Sequence, residues 1–363
     1  MKNKQFTPLT HSKKLLVMAG GTGGHVFPGL ACANLWRDGG GDVCWMGTRK
    51  GIESTLVPEA NINLNFIDIE GVRGKGIRGL LTAPFKILTA VYQALKILNK
   101  EKPDVVLGMG GFAAGPGGVA AKLKGIPLII HEQNAVAGTT NTLLSKIANK
   151  VVRAFPGAFP QIKDALTCGN PVRQAIVDMN KEYHINNKVN VLVVGGSLGA
   201  LAINKMIPNV YKALSGSINL YHQTGQRHID NVEAAYGENL SDENLRVRAF
   251  VEDMTEALEW ADLIICRSGA MTVSEIAVSG KPAVFIPYPY AIDDHQTANA
   301  TWLVDLNAAI MYQEKDLNVE LLIQCIERLC GDHDTLYSMH KNTLAAGIND
   351  ATGKVVSEAL QLT

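Results

Sequence analysis

The chain has 363 residues, of which 47% are hydrophobic and 19% are charged, so it can form two or three domains with packed cores. Its 34 Lys and Arg residues balance its 34 Asp and Glu residues. This balance argues against a nucleic-acid-binding protein, because phosphate contacts need a basic face. Residues 1–14 lack the apolar core of a signal peptide, and no apolar run reaches the roughly 18 residues of a membrane span. We therefore expect a cytoplasmic protein whose contact with a membrane is peripheral.

Short apolar runs alternate with helical patterns along the chain. The first series of predicted strands covers residues 14–19, 42–46, 65–69, 105–108, 128–131 and 150–154. The second series covers residues 191–194, 220–223, 246–249, 263–266 and 283–286. Several are continuous apolar runs, as expected for parallel strands that are covered on both faces. The alternation predicts an α/β protein with two doubly wound parallel sheets.

The boundary between the two halves is predicted near residues 170–173. The first series of strands is complete there, and a polar, turn-like stretch follows at 179–188. A long helix is predicted at 80–98, and a last helix at 350–362 with Asp350 as its N-cap. From the residues alone, the last helix can belong to either half.

Two glycine-rich loops lie half a chain apart, and each follows a predicted strand. They occupy residues 20–25 (GGTGGH) and 195–200 (GGSLGA). Glycine allows a tight turn close to a ligand, and a helix that begins after the turn presents N–H groups to an anion. Two such loops predict two nucleotide-binding halves that face one cleft, which suits a reaction between two large substrates.

His25 follows the first loop near a predicted helix start. The positive end of a helix disfavours imidazolium and keeps the ring neutral near pH 7. A neutral, accessible imidazole is a candidate general base. The alternative is a histidine that only caps the helix.

The second half carries polar segments at the carboxyl ends of its strands, where open α/β sheets bind ligands. Strand 263–266 is followed by Gly269, which permits a turn into a helix whose N–H groups can hold a diphosphate. Glu275 lies one turn into that helix and can reach ribose hydroxyls, or it is an ordinary solvated carboxylate. The polar residues 293–300 can bind sugar hydroxyls, or they form a surface loop that caps a helix through Asp294.

The first half has two further polar or glycine-rich segments. Glycine fills six of the eleven positions 108–118, which fits a backbone cradle for a second phosphate group. Residues 131–134 (HEQN) close another strand with four polar side chains. Polar strand ends are common, so any one of these four can also be structural.

An apolar group interleaves with cations near residue 80. It comprises Ile77, Leu80, Leu81, Phe85, Ile87 and Leu88, among Arg73, Lys75, Arg78 and Lys86. Such a segment can lie on an anionic membrane surface. The alternative, favoured when the segment is considered alone, is a helix whose apolar stripe belongs to the core. That stripe is Leu81, Phe85, Leu88, Tyr92 and Leu95.

Several competing motifs are absent from the sequence. Neither glycine loop completes the G-x-G-x-x-G dinucleotide fingerprint or the Gly-Lys-Ser/Thr of a Walker loop. Asp293 and Asp294 are adjacent and loop-borne, unlike the Asp-x-Asp pair of a metal-dependent sugar transferase. No His and Cys cluster has zinc spacing, and six cysteines without a CxxC pair predict reduced, mostly buried thiols. We therefore expect no cofactor, no metal and a reducing compartment.

Seven stretches match one known family, in order, over nearly the whole chain. They are residues 20–29 (GGTGGHVFPG), 108–118 (GMGGFAAGPGG), 131–134 (HEQN), 169–173 (GNPVR), 195–200 (GGSLGA), 266–275 (CRSGAMTVSE) and 294–300 (DHQTANA). They resemble the MurG family of UDP-N-acetylglucosamine:undecaprenyl-diphospho-muramoyl-pentapeptide N-acetylglucosaminyltransferases. The resemblance implies a GT-B fold, in which two Rossmann-like domains face a cleft and the final helix returns to the first domain.

The resemblance also implies a division of labour between the two domains. Residues 1–170 with 347–363 would bind the lipid-linked acceptor and associate with the cytoplasmic face of the inner membrane, and residues 171–346 would bind UDP-N-acetylglucosamine. Implied partners are UDP-N-acetylglucosamine, the lipid-linked muramoyl-pentapeptide, an anionic membrane surface, and cell-wall and division proteins. In this context the apolar group near residue 80 is favoured as a membrane patch, formed by Ile77, Leu80, Leu81, Phe85, Lys75 and Arg78.

By resemblance, donor contacts fall on residues of both halves. They are Thr22, Gly23, Gly24, Asn134, Arg173, Ser197, Val251, Ala270, Met271, Thr272, Val273, Ser274, Glu275 and Gln296. Val251 would contact uracil through its backbone, Glu275 the ribose and Gln296 a sugar hydroxyl. The acceptor diphosphate is expected on Gly110, Gly111 and Gly115. Met271 replaces a more usual Leu, and residues 112–114 replace a Tyr and Ser pattern, which removes support for a hydroxyl contact there.

The implied reaction is inverting transfer of N-acetylglucosamine to the 4-hydroxyl of the muramoyl sugar, with UDP as the leaving group. His25 is the first choice of base, before Glu132 and His131. N–H groups of the glycine loops and of the helix near Met271 can stabilise the leaving diphosphate without a metal bridge.

Three other classes stay open. A nucleotide-sugar 2-epimerase has the same architecture, but it has no second diphosphate for residues 108–118 to hold. A dinucleotide-dependent oxidoreductase is weakened by the incomplete fingerprints. The third class is a non-catalytic membrane-docking module.

Overall fold

The computed structural model describes residues 12–70, 76–185, 188–196 and 198–363, without the side chains of residues 76–81. The chain divides into two compact units, Met1–Arg173 with Asp350–Thr363 and Gln174–Asn349. The chain passes between the units at 173/174 and 349/350, whereas the sequence predicts 170/171 and 346/347. Some predicted site residues lie outside the described residues, namely Lys75 and Ser197, and the side chains of Ile77, Arg78, Leu80 and Leu81.

The first unit is a parallel sheet with helices on both faces. Its strands are β1 (Lys14–Met18), β2 (Asp42–Gly47), β3 (Asn63–Phe66), β4 (Val105–Gly108), β5 (Leu128–Glu132), β6 (Lys150–Arg153) and β7 (Leu166–Thr167). Its helices up to this point are α1 (Gly23–Asp38), α2 (Glu53–Glu59), α3 (Gly76–Glu101), α4 (Ala114–Leu123) and α5 (Thr139–Leu144). The strand order is β3-β2-β1-β4-β5-β6-β7, and the pairings are parallel.

The central strand β1 shows why this sheet needs continuous apolar runs. Leu16 and Met18 face a core that includes α3 and α4, while Leu15 and Val17 face a second core that includes α1. All four side chains are fully buried. The strand order reverses between β1 and β4, and ligands of such sheets bind at the carboxyl ends of the strands on either side of that reversal.

The second unit repeats the same plan. Its strands are β8 (Val189–Val194), β9 (Ile218–Gln223), β10 (Leu245–Arg248), β11 (Leu263–Cys266), β12 (Ala283–Phe285) and β13 (Ala309–Met311). Its helices are α6 (Gln174–Asp178), α7 (Leu201–Leu214), α8 (Ile229–Tyr236), α9 (Met254–Trp260), α10 (Ala270–Ser279), α11 (His295–Val304), α12 (Val319–Gly331) and α13 (His333–Ala346). The parallel order β10-β9-β8-β11-β12-β13 reverses between β8 and β11.

The last helix, α14 (Ala351–Leu360), belongs to the first unit. Val355, Val356 and Ala359 are buried in the core that contains α1 and one face of β1. Asp350 precedes the helix as predicted, but its side chain makes no capping hydrogen bond. Its carboxylate instead pairs with Lys354 one turn later, at 2.9 Å.

Helix α3 buries a different face from the predicted core stripe. Ala83, Ala90 and Ala94 are buried, whereas Phe85 is 74% exposed, and Leu88 and Tyr92 are also exposed. The core interpretation of that stripe is therefore wrong for these three residues. The face that α3 buries is instead the one with alanines, whose small side chains allow the helix to lie close to its neighbours. Among the described residues, no helix combines the length and the apolar character that crossing a bilayer demands.

The eleven predicted strands are all present in the described parts of the chain, although β3 begins two residues before the predicted 65–69 and ends within it. Strands β7 and β13 were not predicted, because two and three residues are too few for a sequence pattern. The six cysteines are free thiols, of which only Cys330 is partly exposed, as the sequence predicts. No group of side chains in the described ranges is arranged to hold a metal ion.

Candidate active site

The first glycine loop packs directly against the loop that follows β4. A Cβ atom added at Gly111 would lie 2.4 Å from the carbonyl oxygen of Gly20, so only glycine permits this approach. The amides of Gly23 and Gly24 belong to the first turn of α1, where no preceding helical carbonyl can accept them. Thr22 is exposed beside them at the N-cap position. The structure thus places the three predicted loop residues at the end of β1 that faces the strand-order reversal.

His25 lies between these two loops and is half-buried. Its Nδ1 is 3.3 Å from the carbonyl oxygen of Gly20 and 3.4 Å from Oγ1 of Thr22. Because a carbonyl oxygen can only accept, the contact with Gly20 favours the tautomer with the proton on Nδ1 and the lone pair of the neutral ring on Nε2. That nitrogen faces Gly110, where an added Cβ atom would lie 3.1 Å from it and where φ is +94°. Glycine at this position therefore leaves the basic edge of the imidazole uncovered by a side chain at 110.

A buried carboxylate that the sequence analysis did not single out holds the first loop. Glu53, at the start of α2, is fully buried and accepts hydrogen bonds from the amide of Gly21 at 2.9 Å and from the amide and hydroxyl of Thr48 at 2.8 Å each. Three glycines surround it, and an added Cβ atom would clash with its side chain at each. They are Gly20, Gly47 and Gly51. The Gly21 amide is thus committed to Glu53 and cannot bind a phosphate, contrary to a simple cradle of all loop N–H groups.

His131 is not placed to act as a base. The ring is fully buried, Nε2 donates to the carbonyl of Gly169 at 2.9 Å, and Nδ1 accepts from the amide of Gln133 at 3.1 Å. Burial lowers the pKa of His131 to about 4, and the Gly169 carbonyl only partly offsets this. His131 is therefore a neutral bridge between β5 and the residues before 170.

Glu132 is also occupied by structural hydrogen bonds. Its buried carboxylate accepts from the backbone and side-chain amides of Asn134 and, through its other oxygen, from the amide of Gly138 at 3.1 Å and from Asn141 at 2.9 Å. These bonds fix the loop that presents Asn134, which is half-buried. The structure thus gives Glu132 a positioning role and leaves His25 as the better-placed candidate base of the three.

The glycines of residues 108–118 serve two purposes. Gly110 and Gly111 form the turn after β4, and Gly115 lies in the first turn of α4 with only an ordinary contact to Thr140. At Gly117 and Gly118 an added Cβ atom would clash with Met18 and Leu144, at 2.2 and 2.6 Å. Gly117 and Gly118 are therefore packing residues, whereas Gly110, Gly111 and Gly115 lie in the turn after β4 and the first turn of α4.

A cavity of about 830 Å³ opens in the first unit beside the first glycine loop. Its lining includes Gly21, Phe112 of the second loop, and Phe85 of α3. Its charged lining comprises three cations, Arg49, Lys50 and Lys86, and two carboxylates, Asp68 and Glu70, of which Glu70 pairs with Lys50. An apolar lining with a small excess of cations suits a ligand that has both a hydrocarbon part and an anionic part.

In the second unit, Gln223 at the end of β9 fixes the second glycine loop. Its Oε1 accepts from the amide of Gly196, and its Nε2 donates to the carbonyls of Gly196 and Ala249, each at 3.0 Å. Gly199 packs against the backbone of Thr224, where an added Cβ atom would be 2.1 Å from the carbonyl oxygen. The loop is thus rigid on both sides of position 197.

Helix α10 begins at the carboxyl end of β11, at the strand-order reversal. Gly269 is its N-cap residue and provides no capping side chain, so the first-turn amides of residues 270–272 point toward the strand ends. Val273 lies differently, because its side chain is fully buried and its amide donates to Gly269 at 2.9 Å. We therefore correct Val273 from a ligand contact to a core residue. Ser274 is also buried, whereas Glu275 is half-buried.

Arg267 and Gln296 form a network at the ends of β11 and β12. The Arg267 guanidinium donates to the carbonyls of Ile286 and Pro287 at 3.0 Å each and pairs with Glu314. The backbone amide of Tyr288 then donates to Oε1 of Gln296 at 2.9 Å. With Oε1 engaged by Tyr288, the NH₂ group of Gln296 remains as a hydrogen-bond donor.

The remaining predicted donor contacts are distributed between the units. Val251 follows β10 in the second unit. Its side chain is buried, so the contact expected of it is one that its backbone would make. Arg173 is exposed and is the last residue of the first unit before the chain enters the second. Asn134 also belongs to the first unit. The structure thus brings together Ala270–Thr272, Glu275 and Gln296 around the ends of β11 and β12, and His25 with Gly110 and Gly111 around β1 and β4.

Two sequence profiles cover most of the chain. The profile of the Glycosyltransferase family 28 N-terminal domain matches residues 15–153, and that of the Glycosyltransferase family 28 C-terminal domain matches residues 190–355. The chain belongs to glycosyltransferase family 28. The first matched segment lies in the first unit, and the second covers residues 190–349 of the second unit and continues to residue 355 of the carboxyl-terminal segment that belongs to the first unit.

Family 28 relatives match this chain over nearly its full length. A protein of Pseudoalteromonas translucida (strain TAC 125) is 47% identical over 355 residues, which are 97% of this chain and 99% of that protein. It is named UDP-N-acetylglucosamine--N-acetylmuramyl-(pentapeptide) pyrophosphoryl-undecaprenol N-acetylglucosamine transferase. The crystal structure of Acinetobacter baumannii MurG is 41% identical with a TM-score of 0.84, covering 96% of this chain and 99% of that chain. The resemblance to the MurG family and the GT-B fold class are thereby confirmed.

A more distant structure shares the family 28 architecture only as a fold. The UDP-GlcNAc 2-epimerase from Neisseria meningitidis bound to UDP-GlcNAc is 14% identical with a TM-score of 0.66, covering 97% of this chain and 100% of that chain. At this identity the likeness says nothing about activity.

Three positioning residues of this family 28 chain were missed by the sequence analysis. Gln223 and Arg267 carry a usable signal, because both lie at the carboxyl end of a predicted strand. Glu53 carries little signal, since an acidic residue in the first turn of a helix is ordinary. Its role follows only from the three glycines that the fold brings around it.

Proposed function

We propose that this protein transfers N-acetylglucosamine from UDP-N-acetylglucosamine to the 4-hydroxyl of an undecaprenyl-diphospho-muramoyl-pentapeptide, with inversion at the anomeric carbon. The observation that carries the proposal is the 47% identity, over 97% of the chain, to a protein named as that transferase. Two Rossmann-type units, each with a glycine turn at its strand-order reversal, support a reaction between two diphosphate-bearing substrates.

The donor is proposed to bind the second unit. The uncapped first turn of α10 supports a diphosphate site, because amide dipoles and the helix end favour negative charge. Glu275 lies on the same helix and is proposed to accept from the ribose hydroxyls. Gln296, whose amide is oriented by Tyr288, is proposed to donate to a hydroxyl oxygen of the sugar.

The acceptor is proposed to bind the first unit, with its diphosphate on Gly110, Gly111 and Gly115. The 830 Å³ cavity beside these glycines supports a lipid-linked anion there, because its lining is largely apolar and has three cations against two carboxylates. Nε2 of His25 would take the proton of the 4-hydroxyl as that oxygen bonds to the anomeric carbon. The bond between this carbon and the diphosphate breaks, UDP leaves with the electron pair, and the imidazolium later returns its proton to water.

We further propose that the first unit docks on the anionic cytoplasmic face of the inner membrane through α3 and its neighbours. Phe85, Leu88 and Tyr92 of α3 are exposed. Helix α4, which packs on α3, and α5, which packs on α4, expose Leu123 and Leu143. Exposed apolar side chains on three adjacent helices are unusual for a surface that faces only water. The other proposed partners are cell-wall and division proteins.

One transfer assay tests the proposed activity. Radiolabelled UDP-N-acetylglucosamine is incubated with the full chain, with and without the lipid-linked acceptor, and with and without a chelator. We expect label in the lipid fraction only when the acceptor is present, and we expect the chelator to leave the rate unchanged.

The same assay separates the proposal from its alternatives. Release of a 2-epimer from the donor alone would indicate an epimerase. No lipid-linked product with an authentic acceptor, by protein that binds UDP, would indicate a docking module. Thermal stabilisation by NAD but not by UDP would indicate an oxidoreductase.

A further inference from the structure

A single peptide group connects the buried carboxylate of Glu53 to the imidazole of His25. The carboxylate accepts from the N–H of Gly21 at 2.9 Å. The carbonyl oxygen of Gly20, which belongs to the same peptide group as that N–H, lies 3.3 Å from Nδ1 of His25. The 3.3 Å contact is long for a hydrogen bond, but such contacts in a free enzyme commonly shorten when substrate binds.

Hydrogen bonds in such a chain reinforce each other. A carboxylate that accepts from one end of a peptide group increases the negative charge on its carbonyl oxygen, so that oxygen becomes a better acceptor for the imidazole N–H. A carboxylate bonded directly to a catalytic histidine selects its tautomer and stabilises its protonated form. Here the same effect would pass through one peptide group.

We propose that Glu53 is a positioning residue that acts through the Gly20–Gly21 peptide to keep His25 in the Nδ1–H tautomer and to stabilise its imidazolium during transfer. The proposal rests on the proposed function, in which His25 is the base. The negative charge of Glu53 would also offset the positive end of α1, which otherwise disfavours a protonated ring.

The second unit offers a comparison that favours this role. Its glycine loop is also held by a buried side chain, but this is the neutral amide of Gln223 at the end of β9. A carboxylate hydrogen-bonded behind a base assists its uptake of a proton, an effect that a neutral amide does not supply. The charged side chain, Glu53, thus holds the loop that carries His25. The second glycine loop, which is in the unit that contains α10, is held by a neutral side chain.

The kinetic test compares Glu53→Gln with a matched control. Glu101→Gln removes another buried carboxylate of the same unit, which bonds to Lys14 and Asn63 and lies in α3. We expect Glu53→Gln to lower kcat about tenfold with a KM for UDP-N-acetylglucosamine within about twofold of wild type, and Glu101→Gln to leave both within about twofold. Equal losses in the two variants would overturn the proposal.

A double-mutant cycle separates action through His25 from loosening of the loop. In a His25→Ala background, Glu53→Gln should cost less than about twofold in kcat, because the residue through which it acts is gone. An undiminished tenfold loss in that background would mean that Glu53 acts elsewhere, and the proposal would fail.

Nitrogen NMR of the imidazoles tests the tautomer of His25 directly, and its first readout is made on the wild-type protein. The signals of His25 are assigned among the nine histidines by their loss in His25→Ala. The neutral ring should carry its proton on Nδ1, and Glu53→Gln should reduce that tautomer; a wild-type ring protonated on Nε2 would contradict the relay. If His25→Ala keeps full turnover while the tautomer still responds to Glu53→Gln, then the base assignment is wrong and the coupling stands.

Discussion

Gln223 holds the peptide groups of Gly196 from both sides, accepting from its N–H and donating to its carbonyl, each at 3.0 Å. One buried side chain thus fixes the turn at the end of β8 where φ of Gly196 is +78°. The loop keeps its shape through contacts with the neighbouring strand, because glycine itself imposes no conformation.

Replacing Gln223 with leucine should therefore weaken donor binding. The variant loses three hydrogen bonds to the backbone of Gly196 and Ala249, at a cost of about 0.5–1.5 kcal/mol of stability for each. We expect the Kd for UDP to rise about tenfold, measured by calorimetry on folded protein. Gln324→Leu, on the exposed side of α12, is the control and should bind UDP normally; equal affinity in both variants would contradict a role for Gln223.

Gly269→Asp should separate stability from binding. The backbone of Gly269 has φ −60° and ψ 145°, and an added Cβ atom meets nothing closer than 3.8 Å. Aspartate there can cap α10, which adds about 1 kcal/mol of stability, but it places a negative charge where the diphosphate is proposed. The melting temperature should stay or rise while UDP affinity falls at least about tenfold.

Gly269→Ala is the matched control for that change, since it adds the Cβ atom without a cap or a charge. It should bind UDP within about threefold of wild type. Undiminished UDP affinity in Gly269→Asp would remove the proposed site at α10.

His25→Ala should stop chemistry and spare donor binding. Loss of a general base lowers turnover by about 100-fold or more, whereas UDP is proposed to bind the second unit and its Kd should not change. Turnover is measured with the lipid-linked acceptor, and His184→Ala, at an exposed histidine of the second unit, is the control. Near-wild-type turnover would eliminate His25 as the base.

Acid should destabilise the first unit through His131. Burial lowers its pKa from 6.5 to about 4. Between these values the unfolded chain binds a proton that the folded chain does not, so the free energy of unfolding falls as pH falls from 6.5 to 4. The whole effect is about 3 kcal/mol.

Urea unfolding of wild type and His131→Gln at several pH values checks this prediction. Glutamine does not titrate, so the stability of the variant should depend less on pH in that window. His222 of the second unit, whose pKa burial lowers to about 3, is untouched in this variant and serves as an internal comparison. Identical pH dependence in both proteins would show that His131 is not the group responsible.

Charges on the exposed face of α3 should prevent membrane docking. Leu88→Asp introduces a carboxylate at a side chain that is 67% exposed, so folding should be little affected. We expect binding to anionic vesicles to fall at least about tenfold and transfer to a vesicle-embedded acceptor to fall with it. Transfer to a detergent-solubilised acceptor should persist.

The control for that surface is Leu240→Asp, an exposed leucine of the second unit. It introduces the same charge and should bind vesicles like the wild type. If the two variants bind vesicles equally well, then α3 is not the docking face.

The fold could be predicted from the sequence because its strands are continuous apolar runs in a regular alternation. Leu15–Met18 and Leu263–Cys266 are fully buried or nearly so, and no amphipathic pattern was needed to find them. The strands β7 and β13 were not predicted, because two or three residues are too few to show a periodic pattern of apolar residues. Helix α3 was assigned the wrong buried stripe, because the small alanines that pack it carry a weaker hydrophobic signal than the exposed Phe85 and Leu88.

The sequence predicted which loops form the candidate site, but it did not predict the role of each side chain in them. Polar residues at strand ends pointed to His25, Glu132 and His131 alike. Only their hydrogen-bond partners in the folded protein distinguish them, since the polar atoms of His131 and Glu132 are engaged by other groups of the protein. The role of Glu53 could not be predicted for a related reason, because its partners are two backbone amides and the Thr48 hydroxyl, and its neighbours are glycines from separate segments.

The assignment of α14 to the first unit has a consequence for biosynthesis. Val355, Val356 and Ala359 complete the core around Trp45 and Leu15, yet they leave the ribosome after every residue of the second unit. During synthesis the first unit therefore keeps part of its interior uncovered until α14 has left the ribosome, whereas the second unit can already fold.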